Sequence, residues 1–347
     1  MSDSAPAAEK LGNIGIVMMS AAGDAVHTLP IVNALKRHSP SSRITWVLQP
    51  APATLVRGHP HVDSIIEFDR SRGLRAYADV RAALEQTPLD LLIDLQVYFK
   101  AGLVTALANA PIKLGFDHAR ARDANWLFTN RKIPAHPVQH VQDQYFEFLD
   151  YLHVPHDVPV WNLGPWANER EWQTQWCTQF DRPLAALVIA TSKPQKDWLP
   201  ERWAAVCDAL YADFGVQPVL VGGRSPRELE AEQIIMQRAS HRPHSALGSG
   251  MRKLVSILDA SSLVIAPDTG PLHMAVALDR PAISLLGYTN PKRTGPYRRF
   301  HDLMIDAYAD PGEDYVASME NRPGRMERIA VDDVLNRIEV WSTAYRS

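Results

Sequence analysis

Cysteine is scarce. Cys177 and Cys207 are the two in 347 residues, and neither stands in a Cys-x-x-Cys pair. That excludes a disulfide framework and a cysteine zinc site, and it suits a reducing cytosol. No apolar run reaches the roughly 18–20 residues that span a bilayer. The polar start, 1–10, lacks the basic-then-apolar layout of a signal peptide. The expectation is a cytoplasmic protein, soluble or peripherally attached. Charge of one sign is also lacking. Lys and Arg total 36 against 39 Asp and Glu, a net charge of −3, so nothing in the overall balance argues for nucleic acid as a partner.

Several motifs are missing as well. There is no Gly-x-x-x-x-Gly-Lys-[Ser/Thr] phosphate loop and no Gly-x-Gly-x-x-Gly fingerprint. There is no His-Glu-x-x-His and no Gly-x-Ser-x-Gly elbow. Nor is there an Asp-x-Asp triplet, the device by which many single-domain sugar transferases hold a divalent metal against a diphosphate. A protein of this sequence that handles a nucleotide sugar is expected to neutralise its phosphates with helix ends and side chains, with no metal.

What is present is alternation. The length exceeds what one hydrophobic core supports, which predicts two domains. Short apolar runs at 14–19, 43–48, 64–68, 91–95 and 112–115 read as buried strands, with helical pattern from Val26 through Leu35 and at 142–152. The stretch 154–166, with three prolines and two tryptophans, reads as a linker. The pattern then restarts. Strands are expected at 184–190, 217–222, 262–266 and 282–286, and helices at 203–214, 226–238, 253–258, 271–278 and 331–341. This is an α/β chain of two Rossmann-like domains with parallel sheets facing an interdomain cleft. The expected division is a tail over 1–12, domains over 13–160 and 161–325, and a C-terminal helix over 326–347 that packs back on the first domain.

Four segments carry chemistry-bearing residues. The run from Ala266 to His273 follows a strand and opens a helix. Asp268 or Thr269 suits the cap and Pro271 the first turn. Gly270 lets an anion approach the backbone, and His273 stands in the same turn. Read locally, this is either an anion site at a helix N-terminus or a capped helix with nothing bound. The run from Ser20 to Pro30 places Asp24 where the first strand gives way to a helix, either as a general base facing a crevice or as a capping aspartate. His27 reads as a satisfied, partly buried histidine. Thr191, Ser192, Lys193 and Lys196 gather after the first strand of the second half, suited to a diphosphate or to a solvated loop. Glu228, beyond Gly222-Gly223, reads as a ribose contact or a surface glutamate. Arg70, Arg72, Arg75, Arg120 and Arg122 suit an acidic acceptor or a solvated face.

Together these segments resemble glycosyltransferase family 9, the ADP-heptose:lipopolysaccharide heptosyltransferases, and within it the heptosyltransferase I branch. The anchors are Gly23-Asp24-Ala25-Val26-His27-Thr28-Leu29-Pro30 and Asp268-Thr269-Gly270-Pro271-Leu272-His273. The second continues through Ala277-Leu278-Asp279-Arg280-Pro281 and Gly287-Tyr288-Thr289-Asn290-Pro291 to Thr294-Gly295-Pro296-Tyr297. Between them lie Ile93-Asp94-Leu95-Gln96 with Lys100, Gly115-Phe116-Asp117, Asn130-Arg131 and His140.

The resemblance implies a GT-B fold and an inverting, metal-independent transfer of heptose from ADP-heptose to a hydroxyl of the lipopolysaccharide inner core, Kdo-lipid A or similar. It implies Asp24 as base and Lys196 on the leaving diphosphate. Thr191, Ser192, Glu228, Asp268, Thr269, Gly270 and His273 fall to the donor, and Arg70, Arg72, Arg75, Gln96, Lys100 and Arg122 to an anionic glycolipid acceptor. It implies no cofactor beyond the nucleotide sugar, and peripheral contact with the inner membrane.

The sequence departs from the family at Val97-Tyr98-Phe99, where a glycine often follows the glutamine, at Leu272, and at Tyr288 and Asn290. These bear on donor and acceptor identity. Other readings stand beside this one: a transferase using another nucleotide sugar, a sugar-nucleotide epimerase of similar two-domain fold, or a non-catalytic glycan- or nucleotide-binding protein.

Overall fold

The computed structural model describes residues 12–346 and divides into two compact units, the first ending at Asn162 and the second beginning at Leu163. That is two residues later than the division expected from the prolines. Of the expected tail over 1–12, all but Gly12 lies outside the described residues. Gly12 already belongs to the fold: its N–H donates to Asp90 Oδ2 at 2.9 Å and its carbonyl accepts from Arg43.

The first unit runs β1 (Asn13–Val17), α1 (Ala22–His38), β2 (Arg43–Leu48), α2 (Pro50–Val56), β3 (Ser64–Glu67), α3 (Leu74–Glu85), β4 (Leu91–Asp94), α4 (Phe99–Leu107), β5 (Ile112–Gly115), β6 (Arg131–Lys132) and α5 (Val141–Tyr151). Its strands are parallel, in the order β3-β2-β1-β4-β5-β6. Ile14, Ile16 and Val17 are fully buried, because helices cover both faces of a parallel sheet. That is why these strands read as continuous apolar runs. Val17, Val47, Ile66, Val80, Leu92 and Val104 form one core cluster. Asn33 on α1 binds the end of the unit, donating to the carbonyls of Val160 at 2.7 Å and Trp161 at 3.0 Å.

The second unit runs α6 (Ala167–Cys177), β7 (Leu184–Val188), α7 (Pro200–Ala212), β8 (Gln217–Val221), α8 (Pro226–Arg238), β9 (His244–Ser245), α9 (Met251–Ala260), β10 (Ser261–Pro267), α10 (Gly270–Ala277), β11 (Ala282–Leu286), α11 (Pro291–Thr294), β12 (Met304–Asp306) and α12 (Val331–Ala344). Its parallel sheet has the order β12-β11-β10-β7-β8-β9. Counted within each unit, both sheets read 3-2-1-4-5-6, the Rossmann order. The start of the unit is pinned by Arg252, whose guanidinium lies 3.7 Å from the Trp166 ring and donates to Glu169 at 2.6 Å and to the Leu163 carbonyl at 3.1 Å. The proline-rich stretch is therefore held by side chains at 160–161 and again at 163–166, although its sequence shows little periodicity.

The C-terminal helix departs from expectation. It packs within the second unit, against α7, β11 and β12. The cause is its apolar stripe: Val334, Ile338 and Trp341 are fully buried, and Trp341 Nε1 donates to the Ser262 carbonyl at 3.0 Å. Among the described residues, no helix is long and apolar enough to cross a membrane.

Candidate active site

In a sheet of order 3-2-1-4-5-6 the chain leaves the first strand in one direction and the fourth in the other, and the crevice between their carboxyl ends is where such sheets bind ligands. In the first unit that point lies between β1 and β4, and in the second between β7 and β10. Asp24 and Gln96 follow β1 and β4. Lys196 and Asp268 follow β7 and β10.

At the first switch point the β1–α1 loop is fixed through its main chain. Met18 carbonyl accepts from Trp46 Nε1 at 3.2 Å, and Met19 carbonyl from the Gln49 N–H at 2.9 Å. From the other side Gln96 Oε1 accepts from the Met19 N–H, and its Nε2 donates to the Ser20 carbonyl, both at 3.0 Å. The helix then begins at Ala22, two residues before Asp24, whose Oδ2 accepts from the Ala21 N–H at 2.7 Å. Asp24 thus caps α1 from within its first turn. His27 is buried, paired with Gln142 through Nδ1 at 3.1 Å, as its expected satisfied state requires.

Beneath Gln96 lies a carboxylate that sequence reasoning quoted but gave no part. Asp94 is fully buried. It accepts from Thr105 Oγ1 and Asn125 Nδ2, both at 3.0 Å, and from the Gln96 N–H at 3.1 Å. Burial pushes its pKa up to about 7 against these three hydrogen bonds, which favour the charge. The Arg122 N–H donates to the Val97 carbonyl at 2.7 Å, so Arg122 is bound to the loop after Gln96. Lys100 is exposed in the first turn of α4.

The other arginines lie elsewhere along the same sheet end. Arg70 and Arg72 are in a short 3-10 turn after β3, with Arg75 at the start of α3, and all are exposed. Arg72 pairs with Asp79 at 2.5 Å. β2 and β1 stand between β3, which precedes these arginines, and β4, which precedes Lys100. Arg120 belongs to neither group: it is buried, paired with Asp117 and with Glu147 at 2.6 Å.

In the second unit Lys196 Nζ lies 2.6 Å from Asp268 Oδ2 and 3.2 Å from the Asp268 carbonyl oxygen. Asp268 is buried and also accepts from Thr289 Oγ1 at 2.6 Å, while His273 Nε2 lies 3.4 Å from its other oxygen. Burial disfavours its charge. The hydrogen bond from His273 and the charge and hydrogen bond of Lys196 outweigh that, and they hold the carboxyl far below the usual carboxylate range. The expected alternative of Asp268 as helix cap does not hold, because its carboxylate is engaged by three side chains. Thr269 occupies the cap position of α10 without a side-chain cap hydrogen bond, with Gly270 and Pro271 in the first turn.

A second network holds the loop carrying Lys196. Asp197 Oδ1 accepts from the Thr191 N–H at 2.6 Å and its hydroxyl at 2.8 Å, while Arg227 pairs with Asp197 Oδ2 and donates to the Thr191 carbonyl at 2.9 Å. Burial raises the Asp197 pKa despite these partners. Ser192 is exposed beside it. Glu228 closes a capping box: its carboxylate accepts from the N–H groups of Gly223 at 2.5 Å and Ser225 at 2.7 Å, and Ser225 caps α8. Sequence reading missed Asp197, Arg227 and Thr289. Thr289 stands inside a segment already singled out, Asp197 directly follows Lys196, and nothing local marks Arg227. Gly287, at the end of β11, approaches other backbone so closely that a Cβ would lie 2.8 Å from Arg325 C and Met326 N.

Two Rossmann units, each with polar machinery at its switch point, make the architecture of a GT-B fold. A family model for glycosyltransferase family 9 (heptosyltransferase) matches residues 78–318, and the chain belongs to that family. It is 28% identical over 296 residues to the lipopolysaccharide core heptosyltransferase OpsX of Haemophilus influenzae, covering 85% of this chain and 84% of that one. It is 29% identical over 300 residues to lipopolysaccharide heptosyltransferase 1 of Escherichia coli K12, covering 81% and 90%. The crystal structure of E. coli heptosyltransferase WaaC with ADP superposes with a TM-score of 0.74 at 26% identity, over 94% of this chain and 99% of that one.

Proposed function

We propose that the protein transfers heptose, with inversion, from ADP-heptose to a hydroxyl of the lipopolysaccharide inner core. The observation that carries this reading is the ion pair of Lys196 with Asp268 at the second switch point, a fixed cation beside the start of α10. In an inverting displacement, negative charge builds on the departing diphosphate, and preorganised cations and amides aimed at it lower the barrier. Lys196 takes that part. Thr191, Ser192, Thr269 and Gly270 bind the donor with it. Asp268 acts through the groups it holds, Lys196 and His273. Glu228, whose carboxylate already organises the Gly223–Ser225 turn, borders the donor's ribose.

Asp24 removes the proton from the acceptor hydroxyl as it attacks the anomeric carbon. Lys100, Arg122 and the more distant Arg70, Arg72 and Arg75 bind an extended anionic acceptor, and Gln96 belongs to the same end of the sheet. The transfer uses no metal, the positive charge at the phosphates coming from Lys196 and the α10 terminus. Location on the cytoplasmic face of the inner membrane goes with a glycolipid acceptor. Leu74, Tyr98, Phe99 and Leu127 are exposed among these basic residues, at 87%, 47%, 43% and 61%, which supports peripheral contact with lipid. Turnover with ADP-heptose and a Kdo-lipid A acceptor, assayed with and without chelator, tests this. No transfer from any nucleotide sugar, or transfer that a chelator abolishes, overturns it.

A further inference from the structure

We propose that Gln96 is a positioning residue: its side-chain amide extends the β1–β4 pairing past the strand ends and so sets the loop that delivers Asp24. The inference rests on the reading of Asp24 as base. Val17 stands opposite Asp94, and the Leu95 N–H donates to the Val17 carbonyl at 3.1 Å, the last main-chain bond of that ladder. One step on, the Gln96 side chain takes the part a strand would have played. It accepts from the Met19 N–H and donates to the Ser20 carbonyl, both at 3.0 Å. Because one partner is a donor and the other an acceptor, the amide has a single satisfactory orientation. Asp94 fixes the origin of this arm by accepting the Gln96 N–H at 3.1 Å while it is clamped by Thr105 and Asn125. Ala21 and Asp24 follow directly, joined by the Ala21 N–H to Asp24 Oδ2 bond of 2.7 Å. A general base contributes only when held within hydrogen-bond reach of the proton it takes, and displacement by about 1 Å costs on the order of a hundredfold.

Two variants test the arm. Gln96→Met keeps the length and removes both hydrogen bonds. Gln96→Glu keeps the acceptor toward Met19, but meets the Ser20 carbonyl with a donor only while the introduced carboxyl is protonated. Beside the basic Lys100 on α4 and His27, Lys36, Arg37 and His38 on α1, the acidic groups on the elements joined there are Asp94 on β4 and Asp24 on α1. Both are carboxyls that raise the pKa of a third, so Asp94→Asn alone serves as the control for titration of Asp94. The expected result is a kcat at least tenfold down in Gln96→Met, with the acceptor KM and the thermal stabilisation by ADP within about twofold of wild type. In Gln96→Glu, kcat recovers as pH falls, an ionisation absent from wild type and from Asp94→Asn. A Gln96→Met enzyme with unchanged kcat, or one whose only change is a raised acceptor KM, overturns the inference. Asp24→Asn measured alongside separates the two levels: unchanged turnover there removes Asp24 as base, whereas lost turnover there with normal Gln96 variants removes only the arm.

Discussion

Lys196 Nζ sits 2.6 Å from Asp268 Oδ2 and again within reach of the same residue's main-chain carbonyl, so one buried aspartate holds the lysine at two points. Lys196→Met is expected to lower kcat by about 10²–10³, the loss seen when one preorganised donor to a developing anion is removed. Asp268→Ala is expected to be worse for the fold. It strips Lys196, Thr289 and His273 of their shared partner at once, whereas Lys196→Met leaves Asp268 bound by the other two, and breaking a buried pair from one side costs about 3–5 kcal/mol. Denaturant unfolding of the two variants checks the order, and equal stability of the two would contradict it.

Asp24→Asn preserves an oxygen for the Ala21 N–H and removes the basicity. Turnover is expected to fall by about 10²–10⁴, with the melting temperature within a few degrees of wild type. A steady-state rate assay and a thermal melt decide it.

ADP is expected to stabilise the protein more than UDP, GDP or dTDP at matched concentration, and equally with or without a chelator. A ligand at a hundred times its Kd adds about 2.7 kcal/mol. Preference for another nucleotide would keep the fold and change the donor.

Arg70, Arg72 and Arg75 changed together to alanine should raise the acceptor KM and weaken its salt dependence, because exposed charges act through screened fields. Stabilisation by ADP should be untouched. An unchanged KM would take these arginines out of acceptor binding.

Two carboxyls give opposite pH dependence of stability. Asp268 is held below its unfolded pKa, so its contribution is present above about pH 4 and disappears as pH falls below that. Asp94 is raised to about 7, so between the ordinary aspartate value of 3.8 and 7 the folded state binds the extra proton and stability declines as pH rises. Asp94→Asn should therefore gain on wild type across that window, by up to a few kcal/mol. Unfolding curves at pH 4.5 and about 7.5 read the difference.

The fold was legible where burial is two-sided. β2 and β11 match their apolar runs end to end, because a strand covered on both faces has little choice but to be apolar. What escaped reading was long-range pairing. Asp94 and Thr289 were in view as motif letters, but no local pattern tells that an aspartate at a strand end will collect Thr105 and Asn125, or that Arg227 will reach back to Asp197. Asp268 reads equally well as a cap until Lys196, 72 residues away, is seen on it. The C-terminal helix misled for the same reason. Its apolar stripe announces that it packs, and only the Trp341 to Ser262 bond says where.

The hydrogen-bond webs around Asp94 and around Asp268 each draw on residues of a single unit. With the acceptor on the first unit and the donor on the second, as proposed, the two choices would be written in separate stretches of the gene, one before codon 163 and one after. A lineage can rewrite the first to follow a changing surface glycan while the second keeps serving the same nucleotide sugar, and a chimera joined at that seam would inherit one trait from each parent.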